Sequence, residues 1–214
     1  MAYLRVKTLI YSFKLVKDHY SFLAPFYNSL TKLVFGDQLM RAKTCFAERL
    51  KEKKVLIIGG GNGLDYQGFQ GQLSGEYWEI SNAMLSQARI NLANSSLTFY
   101  LDFFEATEGK LFNEVWLHFV LDTMDENEIV DLLGKIRKSI TLKGRIYLVD
   151  FYAPKNTRQY FLNWSMISFF RIFAKHKRAN IPKYESILTC QKWNKDSQQE
   201  FMGGWVKAQL WHTV

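Results

Sequence analysis

The feature that most constrains the fold lies between Val55 and Gly63, where four apolar residues pass directly into a cluster of glycines. A short, continuous and largely β-branched apolar run predicts a strand of a parallel sheet that is covered on both faces. Residues 64–73 follow and are compatible with a helix. A strand, a tight glycine turn and a helix N-terminus together expose backbone N–H groups, so this segment predicts a site for a polar ligand.

An acidic residue, Glu79, stands sixteen residues beyond Gly63, at the end of the next predicted strand. A carboxylate at this distance from a glycine turn can accept hydrogen bonds from both hydroxyls of a nucleotide-like ribose. The turn and the acid together therefore predict a nucleotide-type ligand at one edge of the sheet.

The spacing of the glycines separates two classes of cofactor. Dinucleotide-binding turns have the pattern G-x-G-x-x-G, in which the third glycine allows close packing of helix on strand. Here that third position falls on Leu64 or Tyr66, depending on which glycine begins the count. The spacing present is G-x-G-x-G, formed by Gly59, Gly61 and Gly63. This turn resembles the first motif of the class I S-adenosylmethionine-dependent methyltransferases.

The next segments extend the resemblance. Residues 78–88 are similar to the family pattern acid-x-Ser-x-x-Met-Leu-x-x-Ala, and residues 97–103 resemble the strand whose terminal Asp reaches the adenine amine. The resemblance implies that Glu79 binds the ribose and that Asp102 holds the adenine. It implies S-adenosyl-L-methionine as the cofactor, with the following binding residues: Gly59, Gly60, Gly61, Gly63, Glu79, Ile80, Ser81, Met84, Asp102, Phe103, Phe104, Tyr20 and Tyr27.

The resemblance extends over residues 20–213 and implies the whole fold. We expect an α/β, doubly wound, mostly parallel, seven-stranded Rossmann-like sheet with an antiparallel C-terminal hairpin and N-terminal capping helices. The fourth and fifth strands are expected within residues 111–119 and 142–150, and Gly203-Gly204 supplies a turn before the last strand. Other helices are expected at roughly 64–73, 82–93, 125–140 and 157–176. The chain is expected to form one domain over residues 1–214, with a helical cap at 1–50, a cofactor-binding half at 51–150 and an acceptor side at 151–214.

The chain departs from the family pattern near the methionine end of the cofactor. Many relatives carry an acid at the position of Ile57, and Asn113 stands where an Asp often begins the fourth strand. Quinone-type relatives place an N-terminal Tyr over the methionine end, so Tyr20 and Tyr27 are candidates for this role. Packing within a capping helix is the other interpretation of both tyrosines.

The candidate general base is His118, which follows the apolar run of the fourth strand. Relatives line the methyl-transfer zone at this place, and the ordinary histidine pKa of ~6.5 suits removal of a proton. An acidic phenol acceptor would need no base, so this role stays open. Asp125 precedes Glu126 and Glu128 and is predicted to cap a helix.

A formal net charge of +8 is unevenly distributed along the chain. Between Asp150 and Glu185 there is no acid, but seven Lys and Arg residues occur. Nucleic acid would bind such a patch, but no recognised nucleic-acid fold accompanies it, which disfavours this partner. An anionic lipid surface, an acidic substrate and a solvated basic face remain as interpretations.

The N-terminus and the cysteines indicate a cytoplasmic protein. Residues 1–17 have helical apolar spacing without a signal-peptide core, so an amphipathic helix is expected to cover the active-site mouth or to contact a membrane surface. Cys45 and Cys190 lie far apart and suit a reducing compartment, and the four histidines form no metal-binding pattern. The oligomeric state stays open.

The segment from Tyr160 to Ala174 is nearly all apolar and too short to span a bilayer as a helix. It predicts a buried helix or a helix that covers an apolar acceptor pocket. The leading hypothesis is methyl transfer to a small apolar or aromatic acceptor, such as a quinone precursor or a lipid. The alternatives are a non-catalytic cofactor-binding module and an NAD-dependent oxidoreductase, which the glycine spacing disfavours.

Overall fold

The computed structural model describes residues 35–47, 54–164 and 181–213. Its core is one seven-stranded sheet with the order β3-β2-β1-β4-β5-β7-β6. The strands are β1 Lys54–Ile58, β2 Ser74–Glu79, β3 Ser96–Leu101, β4 Phe112–His118, β5 Ile140–Phe151, β6 Trp193–Phe201 and β7 Val206–Thr213.

Strands β1 to β5 run parallel, and β7 pairs antiparallel with both β5 and β6. The predicted mostly parallel sheet with an antiparallel C-terminal hairpin is confirmed. The strand order reverses between β1 and β4, because β2 and β3 extend the sheet to one side and β4 to β6 to the other. Ligands of open α/β sheets bind at such a switch point, beyond the carboxyl ends of the strands.

The helices cover both faces of the sheet. We number them α1 Gln38–Thr44, α2 Asn82–Asn91, α3 Glu126–Ser139 and α4 Tyr184–Cys190. Apolar residues of α1 and α2 join the core on one face, and those of α3 and α4 join the core on the other. Because β1 is covered on both faces of the sheet, its last four residues are continuously apolar rather than alternately apolar and polar.

Local capping signals fix where two of the helices begin. The Ser81 hydroxyl accepts a hydrogen bond of 3.3 Å from the Met84 amide at the start of α2. Asp125 accepts from the Glu128 amide, and the Glu128 carboxylate accepts from the Asp125 amide, which forms a reciprocal capping box at the start of α3. The predicted capping role of Asp125 is confirmed.

The segment after the glycine turn differs from the regular helix expected over residues 64–73. Leu64–Gln72 is a 3₁₀ segment with a non-helical kink at Phe69. Gly68 and Gly71 lie within it, and a glycine costs a helix about 1 kcal/mol relative to alanine. Because this segment is 3₁₀ and kinked, it does not present the α-helix N-terminus that the sequence suggested.

The segment after β5 also differs from expectation. Residues 157–164 are helical, but Tyr160, Phe161 and Trp164 are 61%, 65% and 66% exposed. On the same segment Gln159 is buried and Leu162 packs against the core. Over residues 160–164 one side of the segment packs and the other is open, which disfavours a buried helix, the first of the two predicted alternatives. The second, a helix that covers an apolar acceptor pocket, stays a prediction.

Several sequence predictions lie outside the described residues. These are Tyr20, Tyr27, residues 1–34 and 48–50 of the predicted N-terminal helical cap, and residues 165–176 of the predicted acceptor-side helix. Among the helices that the structure describes, none combines the length and the apolar character needed to cross a bilayer.

Candidate functional site

The glycine turn leaves the carboxyl end of β1 with three glycines in the left-handed region. Gly59, Gly61 and Gly63 have φ of 63°, 69° and 71°. A Cβ at Gly59 would lie 2.7 Å from a methyl of Val120, and one at Gly63 would lie 2.8 Å from a methyl of Leu92. A Cβ at Gly61 would meet no described atom within 4 Å. Packing therefore explains two of these glycines, whereas Gly61 borders open space where a ligand could approach the backbone.

The buried side chain of Tyr77 holds the glycine turn through a hydrogen bond. The hydroxyl of Tyr77 on β2 donates a 3.0 Å hydrogen bond to the carbonyl of Gly61. A side chain at Gly60 would overlap this hydroxyl, so Gly60 is required for the tyrosine to fit. Burial, and then the nearby Tyr66, raise the pKa of Tyr77 well above its usual value, so its hydroxyl stays a neutral donor. The sequence analysis did not assign Tyr77 a role.

Glu79, the residue predicted to bind the ribose, lies directly against the glycine turn. Glu79 is the last residue of β2 and is buried. Its Oε2 accepts from the Gly61 amide at 3.0 Å, and its Oε1 accepts from the Ser81 amide at 2.9 Å. The structure thus brings the predicted turn and the predicted acid together.

The residues after Glu79 form the start of α2. Ile80 is half-buried, whereas Ser81 and Met84 are buried. The Ser81 side chain caps the helix, so its hydroxyl has a structural partner in addition to any ligand. These three residues follow Glu79 in the chain, and their contact with a cofactor stays a prediction.

The predicted adenine residues follow β3, which is the neighbour of β2. Glu79 pairs with Leu101 across the two strands, so Asp102 comes one residue past the partner of Glu79. Asp102 is exposed, and its Oδ1 accepts from the Phe103 amide at 2.8 Å. Phe103 is half exposed, but Phe104 is buried and stands edge-on to Trp78 with ring centroids 5.5 Å apart. The open ring beside Asp102 is therefore that of Phe103, while Phe104 packs in the core.

The candidate base lies at the same edge of the sheet. His118 is the last residue of β4. Ile58, the last residue of β1, pairs with Leu117, so His118 and Gly59 each come one residue after this pair. The imidazole is buried, and its Nδ1 is 2.9 Å from the hydroxyl of Tyr66. Its Nε2 has no hydrogen-bond partner in the part of the chain that the structure describes. His118 is thus next to the glycine turn, and its second nitrogen needs a partner.

Lys43 and Tyr66 lie near His118, and Asp65 pairs with Lys43; none of the three had a predicted role. Burial, and then the Lys43 cation, hold the pKa of His118 well below its usual value. Lys43 forms a 2.7 Å ion pair with Asp65, and the two side chains are 12% and 32% exposed. Asp65 and Tyr66 come shortly after the glycine turn, which is a local signal for both. The sequence carries no such signal for Lys43, because its approach depends on how α1 packs.

A second buried acid ties the end of β5 to the loop after β4. Asp150 is fully buried, and its carboxylate accepts hydrogen bonds from the amides of Leu121, Asp122 and Phe151 at 3.1, 3.3 and 2.8 Å. Burial, and then the neighbouring Asp122, raise the pKa of Asp150 well above its usual value. This acid has a structural role, because it fixes the loop that carries Val120 against Gly59.

No protein-family model and no curated protein matches the chain. Solved structures do match it. The mitomycin 7-O-methyltransferase MmcR aligns with a TM-score of 0.66 at 16% identity, over 91% of this chain and 60% of MmcR. CalO1, a methyltransferase in calicheamicin biosynthesis in its SAH-bound form, aligns with a TM-score of 0.60 at 15% identity, over 90% of this chain and 57% of CalO1. The DhpI–SAH complex aligns with a TM-score of 0.63 at 16% identity, over 90% of this chain and 92% of DhpI.

The chain spans about 60% of the length of MmcR and of CalO1. At such low identity the likeness concerns the arrangement of strands and helices. The chain has the Rossmann-like fold of these methyltransferases.

Proposed function

We propose that this chain binds S-adenosyl-L-methionine and transfers its methyl group to a small apolar or aromatic acceptor. The observation that carries the proposal is the hydrogen bond of 3.0 Å between the Gly61 amide and the Glu79 carboxylate. It joins an open glycine turn to a buried acid at the switch point of a doubly wound sheet, where such folds bind nucleotides. Two of the similar structures, CalO1 and DhpI, are SAH-bound, which supports the choice of cofactor.

The residues at this edge fit an adenosyl group. Glu79 would accept hydrogen bonds from the ribose hydroxyls, each charge-assisted bond contributing ~1.5–3 kcal/mol. The backbone at Gly61 would come close to the ligand, since no side chain stands between them. Asp102 would bind the adenine amine, and the half-exposed Phe103 ring would cover one face of the base.

The methionine end of the cofactor needs partners other than an acid on β1. Ile57, which takes the place of the acid common in relatives, is buried in the core. The Lys43–Asp65 ion pair offers both signs of charge beside the glycine turn, and it is partly open to solvent. An ammonium and a carboxylate on one ligand are complementary to such a pair, so we assign the amino-acid end of the cofactor to it.

S-adenosylmethionine supplies a methyl group on a sulfonium that is already a strong donor. The contribution of the protein is therefore to orient the reactants, and orientation can lower a barrier by ~7–11 kcal/mol. The glycine turn and Glu79 would fix one reactant, while the loop after β4 and the segment after β5 would border the other. His118 at the end of β4 would take up the proton.

The apolar character of the acceptor is supported by the segment after β5. Tyr160, Phe161 and Trp164 are exposed on the helical stretch 157–164, and the rings of Phe161 and Trp164 lie 6.4 Å apart. Neighbouring exposed aromatic side chains indicate a surface that binds an apolar partner. A quinone precursor, a phenol or a lipid would suit this surface better than a highly charged metabolite.

The experiment is a transfer assay with methyl-labelled S-adenosylmethionine and a panel of phenols, quinols and lipids. We expect labelled product from at least one apolar acceptor. A second candidate function is a cofactor-binding module without transfer activity, which the apolar residue at position 57 favours. Binding of the cofactor without labelling of any acceptor in the panel would support that candidate over the enzyme.

A further inference from the structure

One buried nitrogen at the candidate site has an incomplete environment. His118 is 3% exposed, and its Nε2 lacks a hydrogen-bond partner among the described residues. A buried polar atom without a partner costs about 1–3 kcal/mol, and native structures contain few of them. Because this atom lies at the end of β4, beside the glycine turn, a bound ligand is a physical explanation for the missing partner.

The other nitrogen of the same ring is held firmly. Nδ1 lies 2.9 Å from the hydroxyl of Tyr66, which is fully buried. The Tyr66 ring is fixed by Trp116, with ring centroids 5.4 Å apart, and the imidazole stacks on the same indole at 5.2 Å. Both rings are buried and pack on the same indole, so the contact between Nδ1 and the hydroxyl is part of the packed core.

A neutral imidazole carries its proton on one nitrogen and accepts on the other. If Nδ1 donates to the Tyr66 oxygen, Nε2 is left as an acceptor. The opposite tautomer would bury an N–H group without an acceptor, which is the rarer kind of defect in folded proteins. The fixed contact therefore favours Nε2 as the accepting atom.

We propose that Tyr66 is a positioning residue that holds His118 with its proton on Nδ1, so that Nε2 accepts a hydrogen bond and then the proton from a phenol-like or enol-like hydroxyl on the methyl acceptor. This inference deepens the proposed methyl transfer and rests on it for the identity of the reaction. The acceptor oxygen forms the new bond to the methyl carbon, and the electron pair of the broken carbon–sulfur bond stays on sulfur. The hydroxyl proton passes to Nε2 and leaves to solvent when the product departs.

The charges around the imidazole affect its basicity and therefore which acceptor hydroxyls it can deprotonate. Charged and titratable groups near His118 come from three elements: Lys43 on α1, Asp65 and Tyr66 after the glycine turn, and Tyr147 on β5, whose ring stands edge-on to the imidazole at 4.5 Å. Burial, and then the Lys43 cation, oppose a positive charge on the ring. An imidazole kept neutral in this way is a weak base, and a weak base suits an acidic hydroxyl such as that of a phenol rather than an aliphatic alcohol.

The test reads the tautomer directly, without cofactor or acceptor. Nitrogen NMR of ¹⁵N-histidine-labelled protein, with His118 assigned through a His118→Gln variant, distinguishes a protonated from an unprotonated ring nitrogen. We expect protonated Nδ1 and unprotonated Nε2 in the wild-type protein, and a shift toward the other tautomer in Tyr66→Phe. Tyr184→Phe is the matched control, because it removes a buried tyrosine hydroxyl on the opposite face of the sheet. Its His118 signals should be unchanged.

A protonated Nε2 in the wild-type protein would overturn the assignment of Tyr66, whether or not the chain transfers methyl groups. If Tyr66→Phe does not fold, the wild-type spectrum alone still shows which ring nitrogen of His118 carries the proton. With active enzyme, Tyr66→Phe should lower kcat by roughly 10–100-fold with little change in KM. Transfer to amines or thiols but not to phenols would overturn the acceptor class, even if the tautomer were as expected.

Discussion

Gly61 and Glu79 are eighteen residues apart in the chain and are joined by one hydrogen bond of 3.0 Å from amide to carboxylate. The bond links the loop after β1 to the last residue of β2, and Tyr77 supports the same loop through the Gly61 carbonyl. The turn and the acid are therefore joined to each other without a ligand. Preorganisation of this kind strengthens binding, because the ligand does not have to order the loop.

Glu79→Ala tests the acid that is joined to the turn. Loss of one or two charge-assisted hydrogen bonds should weaken binding of S-adenosylhomocysteine by ~10–100-fold, or about 1.4–2.7 kcal/mol. The measurement is calorimetric titration of variant and wild-type protein. Glu76→Ala is the matched control, since it removes another buried acid of β2 whose partners are Lys110, Trp78 and Tyr100. Equal dissociation constants for wild type and Glu79→Ala would remove Glu79 from the site.

Gly61→Ala tests whether a ligand approaches the open glycine. The left-handed φ of 69° should cost an alanine about 1–2 kcal/mol of stability, but no described atom would clash with the new methyl. The protein should therefore fold, and it should bind S-adenosylhomocysteine more weakly because the methyl occupies ligand space. Gly109→Ala is the control, because Gly109 has φ of 77° and the same open surroundings. If both variants lost equal stability and neither lost affinity, the backbone at Gly61 would not contact the cofactor.

Lys43→Met tests the electrostatic environment of His118. Removal of the cation should raise the pKa of the imidazole, although burial should still keep it below the usual value of ~6.5. An NMR titration of the His118 ring reports this directly. Arg41→Met on the same helix is the control, because Arg41 is exposed and should leave the titration unchanged. A lower pKa in Lys43→Met would contradict the assigned cause.

Asp150→Asn tests how a buried acid couples stability to pH. Because burial raises the pKa of Asp150 in the folded protein, the folded state binds the proton more tightly than the unfolded state. The contribution of this group to stability is full below the unfolded pKa of ~3.9 and is lost as pH rises through the higher folded pKa.

Urea unfolding over a pH series measures this effect. The free energy of unfolding of the wild type, relative to Asp150→Asn, should decrease with rising pH by at most about 1.4 kcal/mol per pH unit. Asp122→Asn should shift the window of the decrease to lower pH, since Asp122 is the second cause of the raised pKa. A relative stability that increased with pH would reverse the sign and contradict the account.

The strand assignments could be predicted because their signals are local. The apolar run before Gly59 and the acid at Glu79 mark the ends of β1 and β2 without reference to the rest of the chain. The pairing of β2 with β3 then places Asp102 next to Glu79 through topology alone. Local order and the parallel arrangement were enough to bring these predicted residues to one edge.

The remainder of the site depends on tertiary packing. Lys43 reaches the site because α1 packs on the sheet beside Tyr147, and no periodicity in the sequence encodes that approach. The contact between Tyr66 and His118 joins positions 52 residues apart and depends on the 3₁₀ conformation of residues 64–72. Nearness to the glycine turn is a local signal for Tyr66, but its contact with His118 is not encoded by any local pattern.

The central claim is that the glycine turn and Glu79 hold an adenosyl cofactor, and calorimetric titration of the wild-type protein with S-adenosylhomocysteine and with NAD tests it most directly. We expect one-site binding of S-adenosylhomocysteine at micromolar or tighter affinity and no detectable heat of binding with NAD. Micromolar binding of NAD, with no binding of S-adenosylhomocysteine, would contradict the account.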